Sequence, residues 1–283
     1  MPEQTLRRHR RHTTGAVIAA VAAAVIALLL NAPFLNSLLV SFKTEGDIAG
    51  DPLGFSSGPT LDHYLNVLYQ AGYDFPRFFL NSILISLGAV LLVLIISVPA
   101  SYAIIRLRFG GDAVVNAASG LRLLPAVFFI VPFFVMFNLV GLTDTVAGLV
   151  FANTFLNVPL ALILLTGAIR ELPIEVEEAA AVDGAGILAT LWRIVIPMLA
   201  PTLVAVCVLV FIFSWDDYLF ALVLSTSEAT PVTLGAANFI TSTGIRWGDI
   251  SAAAVLSVIP PVLFAVFAQR YLVSGLSSGA VKG

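Results

Sequence analysis

Apolar residues gather into six long runs, at 16–40, 83–105, 121–140, 146–169, 198–224 and 252–271. A helix rises about 1.5 Å per residue, so about 20 residues cross a hydrocarbon layer of about 30 Å. Each run reaches that length, and the pattern predicts six membrane-spanning helices. Asn31 and Pro33 interrupt the first run, and Gly88, Pro99, Pro132, Pro159, Pro260 and Pro261 stand inside later ones. A membrane bundle tolerates such residues where neighbouring helices re-satisfy the backbone. The tract 42–80, with Glu45, Asp47, Asp51, Asp62 and Asp74, reads as a long polar loop. Inside it, Leu61, Tyr64, Leu65 and Leu68 recur at helical spacing and predict a short helix over 60–70 on the membrane surface. The Thr-, Ser- and Gly-rich stretch 225–247 lacks the apolar length to cross and is expected to reach outward as a loop.

Composition agrees with the runs. Hydrophobic residues make up 59% of the chain and charged ones 11%, with a mean hydropathy of +1.00. A soluble domain carries about 25% charged residues, and a disordered chain is poorer still in apolar ones, so both classes are excluded. Charge placement then orients the spans. Ten Lys/Arg residues fall on the segments of one side (Arg7, Arg8, Arg10, Arg11, Arg106, Arg108, Arg170, Arg193, Arg270, Lys282) and three on the other (Lys43, Arg77, Arg246), Arg122 standing at a border. Basic loops stay inside, so both termini are expected to be cytoplasmic. Residues 1–15 form a basic cytoplasmic tail and 16–283 one transmembrane domain, with external loops at about 42–80 and 225–250. The arginines before the first run resemble the start of a signal peptide, but the run is too long and no small-residue cleavage site closes it.

The chemistry that is missing narrows the function. Cys207 stands alone, so neither an internal disulfide nor a cysteine-built zinc site is available. His9, His12 and His63 lie in tail or loop and do not cluster. No Gly-x-x-x-x-Gly-Lys-Ser/Thr phosphate loop is present, so the chain does not hydrolyse ATP by itself. An intramembrane enzyme needs a nucleophile–base pair, and an ion-coupled secondary transporter a midplane ionisable site and often inverted repeats. The sequence offers none of these.

One loop stands out. Between the fourth and fifth runs lies Arg170-Glu171-Leu172-Pro173-Ile174-Glu175-Val176-Glu177-Glu178-Ala179-Ala180-Ala181-Val182-Asp183-Gly184-Ala185-Gly186, then Leu191-Trp192-Arg193-Ile194-Val195-Ile196-Pro197. Pro173 suits a first helical turn, and Glu175, Glu177 and Glu178 sit near the positive end of the helix dipole. Gly184 or Gly186 ends this helix in a left-handed conformation. A second short helix then runs to Ile196 and stops at Pro197. The two make a compact knob on the inner face, kept low by Ala179, Ala180 and Gly184. A plain acidic loop, soluble because of its charge, is the alternative.

The spacing of Glu-Ala-Ala, Asp-Gly-Ala and the terminal Ile-x-Pro resembles the EAA loop of permease subunits of ATP-binding-cassette (ABC) importers. Within that family the chain is most similar to maltose-type carbohydrate permeases. Supporting pieces are Asn81-Ser82, Tyr102-Ala103, Arg106-Leu107-Arg108-Phe109, Leu124-Pro125, Ile130-Val131-Pro132, the stretch from Phe213 to Leu222 and the terminal Gly275–Gly283. Trp215-Asp216-Asp217 departs from the Trp-Asn-Glu common in relatives. The resemblance implies an all-α integral membrane protein of six transmembrane helices with the type I ABC importer permease fold, multi-pass in the cell membrane. It implies a non-catalytic subunit that pairs with a sister permease in a heterodimer and docks on two ATPase subunits. An extracytoplasmic sugar-binding protein would deliver the ligand, and lipid would surround the spans. No cofactor is expected on this chain, ATP and Mg belonging to the ATPases, and no nucleic acid is involved. Coupling would fall to Glu178, Ala179, Ala180, Asp183 and Gly184. Polyols or glycerol-phosphate compounds are the alternative cargo.

Charges at membrane depth cost at least about 2.5 kcal/mol at the helix centre, so they face a cavity or a partner. Arg122 opens the third run, either as an interface anchor or as a cavity residue. Asn153 and Asn157 share a helix face, for sugar hydroxyls or for interhelical bonds. Phe211 and Trp215, again four apart, suit a pyranose ring or the membrane interface. Asp216 and Asp217 point about 100° apart, so one of them lines a pathway or the fifth span ends there and both are solvated.

Overall fold

The computed structural model describes residues 3–51, 54–70, 74–241 and 244–279. Lys282, the last residues of the terminal motif, and Ser242 and Thr243 of the second expected loop lie outside them. The chain divides into two compact units, Met1–Gln70 with Phe239–Leu256, and Ala71–Asn238 with Ser257–Gly283.

In the first unit, helix α1 (Glu3–Val40) absorbs the expected basic tail into one continuous helix. Its apolar window Ala19–Val40 is 0% buried. Helix α2 (Glu45–Gly50) is capped by Thr44, whose Oγ1 accepts the Asp47 N–H at 3.2 Å. Helix α3 (Asp62–Tyr69) forms where the apolar spacing predicts it, but a different face packs. His63 and Val67 are buried while Leu61 and Leu65 stay exposed. The reason is polar: His63 Nδ1 meets Asp249 Oδ1 at 2.7 Å, and its Nε2 meets the Lys43 carbonyl at 2.8 Å. Arg246 Nε pairs with the other Asp249 oxygen at 2.7 Å. Strands β1 (Ile240–Thr241) and β2 (Gly244–Ile245) form a two-residue antiparallel ladder, the one departure from an all-α chain among the described residues.

The second unit is built on helices α4 (Phe75–Arg106) and α7 (Val146–Glu171). Both match predicted spans, α4 starting earlier because Pro76 fits its first turn. Gly88 lets the two approach closely: a Cβ there would stand 2.8 Å from Val150 Cγ2. Val93, Ala161, Leu165, Ile169, Val195, Val206 and Val210 are fully enclosed in the core between α4, α7 and the chain from 195 to 210.

Two predicted spans are broken. The run 121–140 becomes α5 (Gly111–Leu123) and α6 (Val127–Leu139), bent by 99°. Pro125 is the cause, since a residue before proline is pushed out of the helical region, and Leu124 has φ −76° and ψ 129°. The run 198–224 becomes α11 (Ala200–Trp215) and α12 (Leu219–Leu224), interrupted at Asp216-Asp217-Tyr218. Asp217 Oδ1 accepts the Phe220 N–H at 3.2 Å, so a side chain competes with the helix for its own backbone. Among the described residues four helices are long and apolar enough to cross a membrane alone, and two bent pairs, α5 with α6 and Ile187–Met198 with α11, bring the count up to six.

In the loop between the fourth and fifth spans, α8 (Ile174–Val182) follows Pro173, and Gly184 with φ +85° makes the left-handed turn, Gly186 being extended. The second short helix does not stop at Pro197. It runs as α9 (Ile187–Thr190), a π turn over Leu191–Val195, and α10 (Ile196–Met198). Pro197 falls in a first turn, where its missing N–H costs nothing, and the chain bends instead by 78° at Leu199. Of the second expected loop, α13 (Val232–Gly235) folds back on α4: the Val232 N–H bonds Ser82 Oγ at 2.8 Å, and Gly235 abuts Phe78. Last, α14 (Trp247–Gly279) begins before and ends beyond the predicted sixth span.

Candidate functional site

Because α5 and α6 bend apart and α11 stops short of α12, the second unit holds a cavity of about 330 Å³. Helix α7 supplies Asn153 and Asn157 to its wall, the α5–α6 bend supplies Arg122, and α11 and the break after it supply Phe213 and Asp217. Phe129 and Phe155 complete an aromatic side, with ring centroids 5.1 Å apart. Arg122 lies over the Phe213 ring, its Cζ 5.3 Å from the centroid. Asn153 Nδ2 donates to Asp217 Oδ2 at 3.1 Å and to the Leu149 carbonyl at 3.1 Å, while Asn157 Nδ2 donates to the Asn153 carbonyl at 2.9 Å. Both asparagines thus use their amide N–H groups to brace α7 and still line the cavity.

Three of the six expected pathway residues meet here: Arg122, Asn153 and Asn157. Phe211 and Trp215 do not. They stack on each other with centroids 5.7 Å apart, Phe211 also stacks on Phe264 at 4.4 Å, and Trp215 Nε1 donates to the Ser257 carbonyl at 3.1 Å. Asp216 is exposed at the end of α11, and its neighbour Asp217 lines the cavity instead. The helix ends at Trp215, so the break in the chain, and not the helical step between consecutive residues, separates them.

The loop around α8 presents the other assembled surface. Glu178, Ala179, Asp183 and Gly184 are exposed, Ala180 is half-buried, and nothing in the chain lies within 4 Å of a Cβ placed at Gly184. Val182, Leu188 and Trp192 are 89%, 71% and 67% exposed. Sequence reasoning passed over Glu177, the buried residue of α8.

At the opposite end of α7, Asp144 organises the chain that follows α12. Its carboxylate accepts the backbone N–H groups of Thr226, Ser227, Glu228 and Ala229 at 3.0–3.1 Å, and the Thr226 hydroxyl at 2.8 Å. Burial pushes this carboxyl up, but the four backbone bonds outweigh it and hold Asp144 well below the usual carboxylate range. Arg77 pairs with Glu228 beside it, and Asn81 Nδ2 donates to the Glu228 and Thr230 carbonyls at 2.9 and 3.0 Å.

Residues 46–278 match the family described as the binding-protein-dependent transport system inner membrane component. The trehalose/maltose transport system permease protein MalG of Thermococcus litoralis is 34% identical over 286 positions, covering 100% of both chains. The trehalose transport system permease protein SugB of Mycobacterium tuberculosis is also 34% identical, over 89% of this chain and 92% of its own. A bacterial ABC transporter involved in import of the acidic polysaccharide alginate superposes with a TM-score of 0.76 at 24% identity, covering 93% of this chain and 98% of that one. The family match over most of the chain and the two relatives at 34% identity agree: the chain belongs to the family of inner membrane components of binding-protein-dependent transport systems.

Proposed function

We propose that this chain is the permease subunit of an ATP-driven carbohydrate importer, forming half of a pore with a sister permease and docking on a cytoplasmic ATPase through residues 170–197. The observation that carries the docking is the exposed apolar surface of Val182, Leu188 and Trp192 around Ala179 and Gly184. Outside the spans such a patch marks a protein partner. Glu178 and Asp183 flank it and suit charge-directed contacts. ATP and Mg belong on the ATPase, and the extracytoplasmic binding protein that the family's name implies delivers the solute.

The cavity supports a sugar as cargo. Amide, guanidinium and carboxylate groups hydrogen-bond hydroxyls, aromatic faces cover the C–H surface of a pyranose, and about 330 Å³ is within the range of small-molecule sites. Relatives named for trehalose and maltose point the same way. In proteoliposomes holding both permeases and the ATPase, labelled maltose or trehalose is expected to accumulate only with ATP and the binding protein. Arg122→Gln and Asn157→Leu should lower uptake. Capture of a polyol or a glycerol phosphate, and of no sugar, by the cognate binding protein would overturn the carbohydrate reading.

A further inference from the structure

Helix α8 carries the proposed docking surface but packs little of itself on the spans. Ile174, Val176 and Val182 are exposed, and Glu177 is its buried residue. Glu177 Oε2 accepts the Tyr102 hydroxyl at 2.9 Å, and its Oε1 accepts Arg106 Nε at 2.7 Å. Both donors stand in the last turns of α4, about one helical turn apart. Arg106 Nη2 also donates to the carbonyl of Leu172, the cap of α7, at 2.9 Å. One carboxylate therefore joins α8 to the ends of the two central helices, and the Glu177 and Arg106 side chains are only 10% and 12% exposed.

We infer that Glu177 is a positioning residue for transport, the strut that carries displacement of α8 into α4. The inference rests on the reading that α8 docks on the ATPase. A helix held by apolar packing slides when pushed, because dispersion contacts are non-directional. A carboxylate held by a phenol and a guanidinium in a poorly hydrated site keeps its distance and direction. Helix α4 then moves with α8, and α7 follows through Arg106 and the closely packed interface at Gly88. Glu178, Ala179 and Gly184 are exposed while Glu177 is buried, so docking and transmission fall to different residues of one short segment.

The test uses the full transporter in proteoliposomes with Glu177→Gln, Arg106→Gln and the double variant. Glu177→Gln keeps the size and an acceptor for Tyr102 but loses the ion pair. The ATPase is expected to co-purify as with the unaltered chain, with an unchanged KM for ATP, while sugar taken up per ATP hydrolysed falls about tenfold, the size of one lost pair interaction. The double variant should be no worse than either single one, because both break the same strut. Tyr102→Phe gives a second reading should the charge variants insert poorly. Normal coupling in Glu177→Gln, losses that add in the double variant, or release of the ATPase by Glu177→Gln would each overturn the strut. If the unaltered chain itself retains no ATPase, the docking reading under Proposed function fails instead.

Discussion

Asp144 and Glu177 each tie a connecting segment to the helices of the second unit, but they draw on different donors. Asp144 takes four consecutive backbone N–H groups from 226–229, whereas Glu177 takes the tips of two side chains from α4. Backbone donors in sequence have one geometry and depend little on which residues carry them. Side-chain donors bind the carboxylate to the helix that bears them, so that helix is displaced with it. The first arrangement fixes a turn, and the second suits a joint that transmits motion.

Removing the fixed clamp gives the largest effect. Asp144→Ala leaves four amides without their common acceptor and is expected to cost about 2–4 kcal/mol, more than the about 1.5–3 of one hydrogen bond to a charged group but discounted for partial exposure. Limited proteolysis in detergent should then cut first within 226–229. Unchanged resistance there would place the clamp's strength elsewhere. The lowered Asp144 value also sets a pH dependence. Its stabilisation is fully present above the ordinary 3.8 and is lost as pH falls through the lower folded value. Thermal unfolding of the unaltered chain should therefore fall more steeply below about pH 4 than that of Asp144→Asn.

At the other end, Gly184→Val meets no clash inside the chain, but its φ of +85° costs a side chain about 1–2 kcal/mol. The spans should insert normally, with the ATPase lost or its turnover uncoupled in a pull-down and uptake assay. Normal docking and uptake would reduce the knob to a solvated connector. Smaller still is Tyr102→Phe, which deletes one of the two Glu177 bonds at about 0.5–1.5 kcal/mol and should lower coupling less than Glu177→Gln. The smallest expected change, about 0.5 kcal/mol, is Ser227→Ala, because it removes only the exposed hydroxyl bond to Asp144 Oδ2 at 3.1 Å and leaves the amide bond to Oδ1 in place. A large loss from Ser227→Ala would erase the distinction between the two carboxylates.

Local chemistry was legible in the chain: the Gly-ended helix after Pro173, the shared face of Asn153 and Asn157, the short helix after Thr60. These depend on neighbours within a turn or two. Glu177 was not legible, because its partners Tyr102 and Arg106 lie more than seventy residues earlier, and nothing in Glu175-Val176-Glu177-Glu178 says which glutamate turns inward. Asp144 hid for the same reason, its partners being backbone atoms far along the chain. His63 looked idle in a loop until Asp249 came beside it. The broken spans were half visible: Pro125 announces a bend, yet apolar residues continue on both sides of it, and hydropathy does not register direction.

Helix α1 has consequences for assembly. Among the described residues nothing in its apolar window is buried, and its polar groups bond within the helix, Asn31 Nδ2 donating to the Ala27 carbonyl at 2.8 Å and the Ser37 hydroxyl to that of Pro33 at 3.1 Å. It is complete in lipid as soon as it is made. Helix α7, whose buried Asn153 and Asn157 donate to Asp217 and Ser214, finds its full complement only after α11 and the break beyond it have arrived. During synthesis the α7 segment must therefore wait for a helix made after it, and that interval is when a quality-control protease would find the chain most easily recognised.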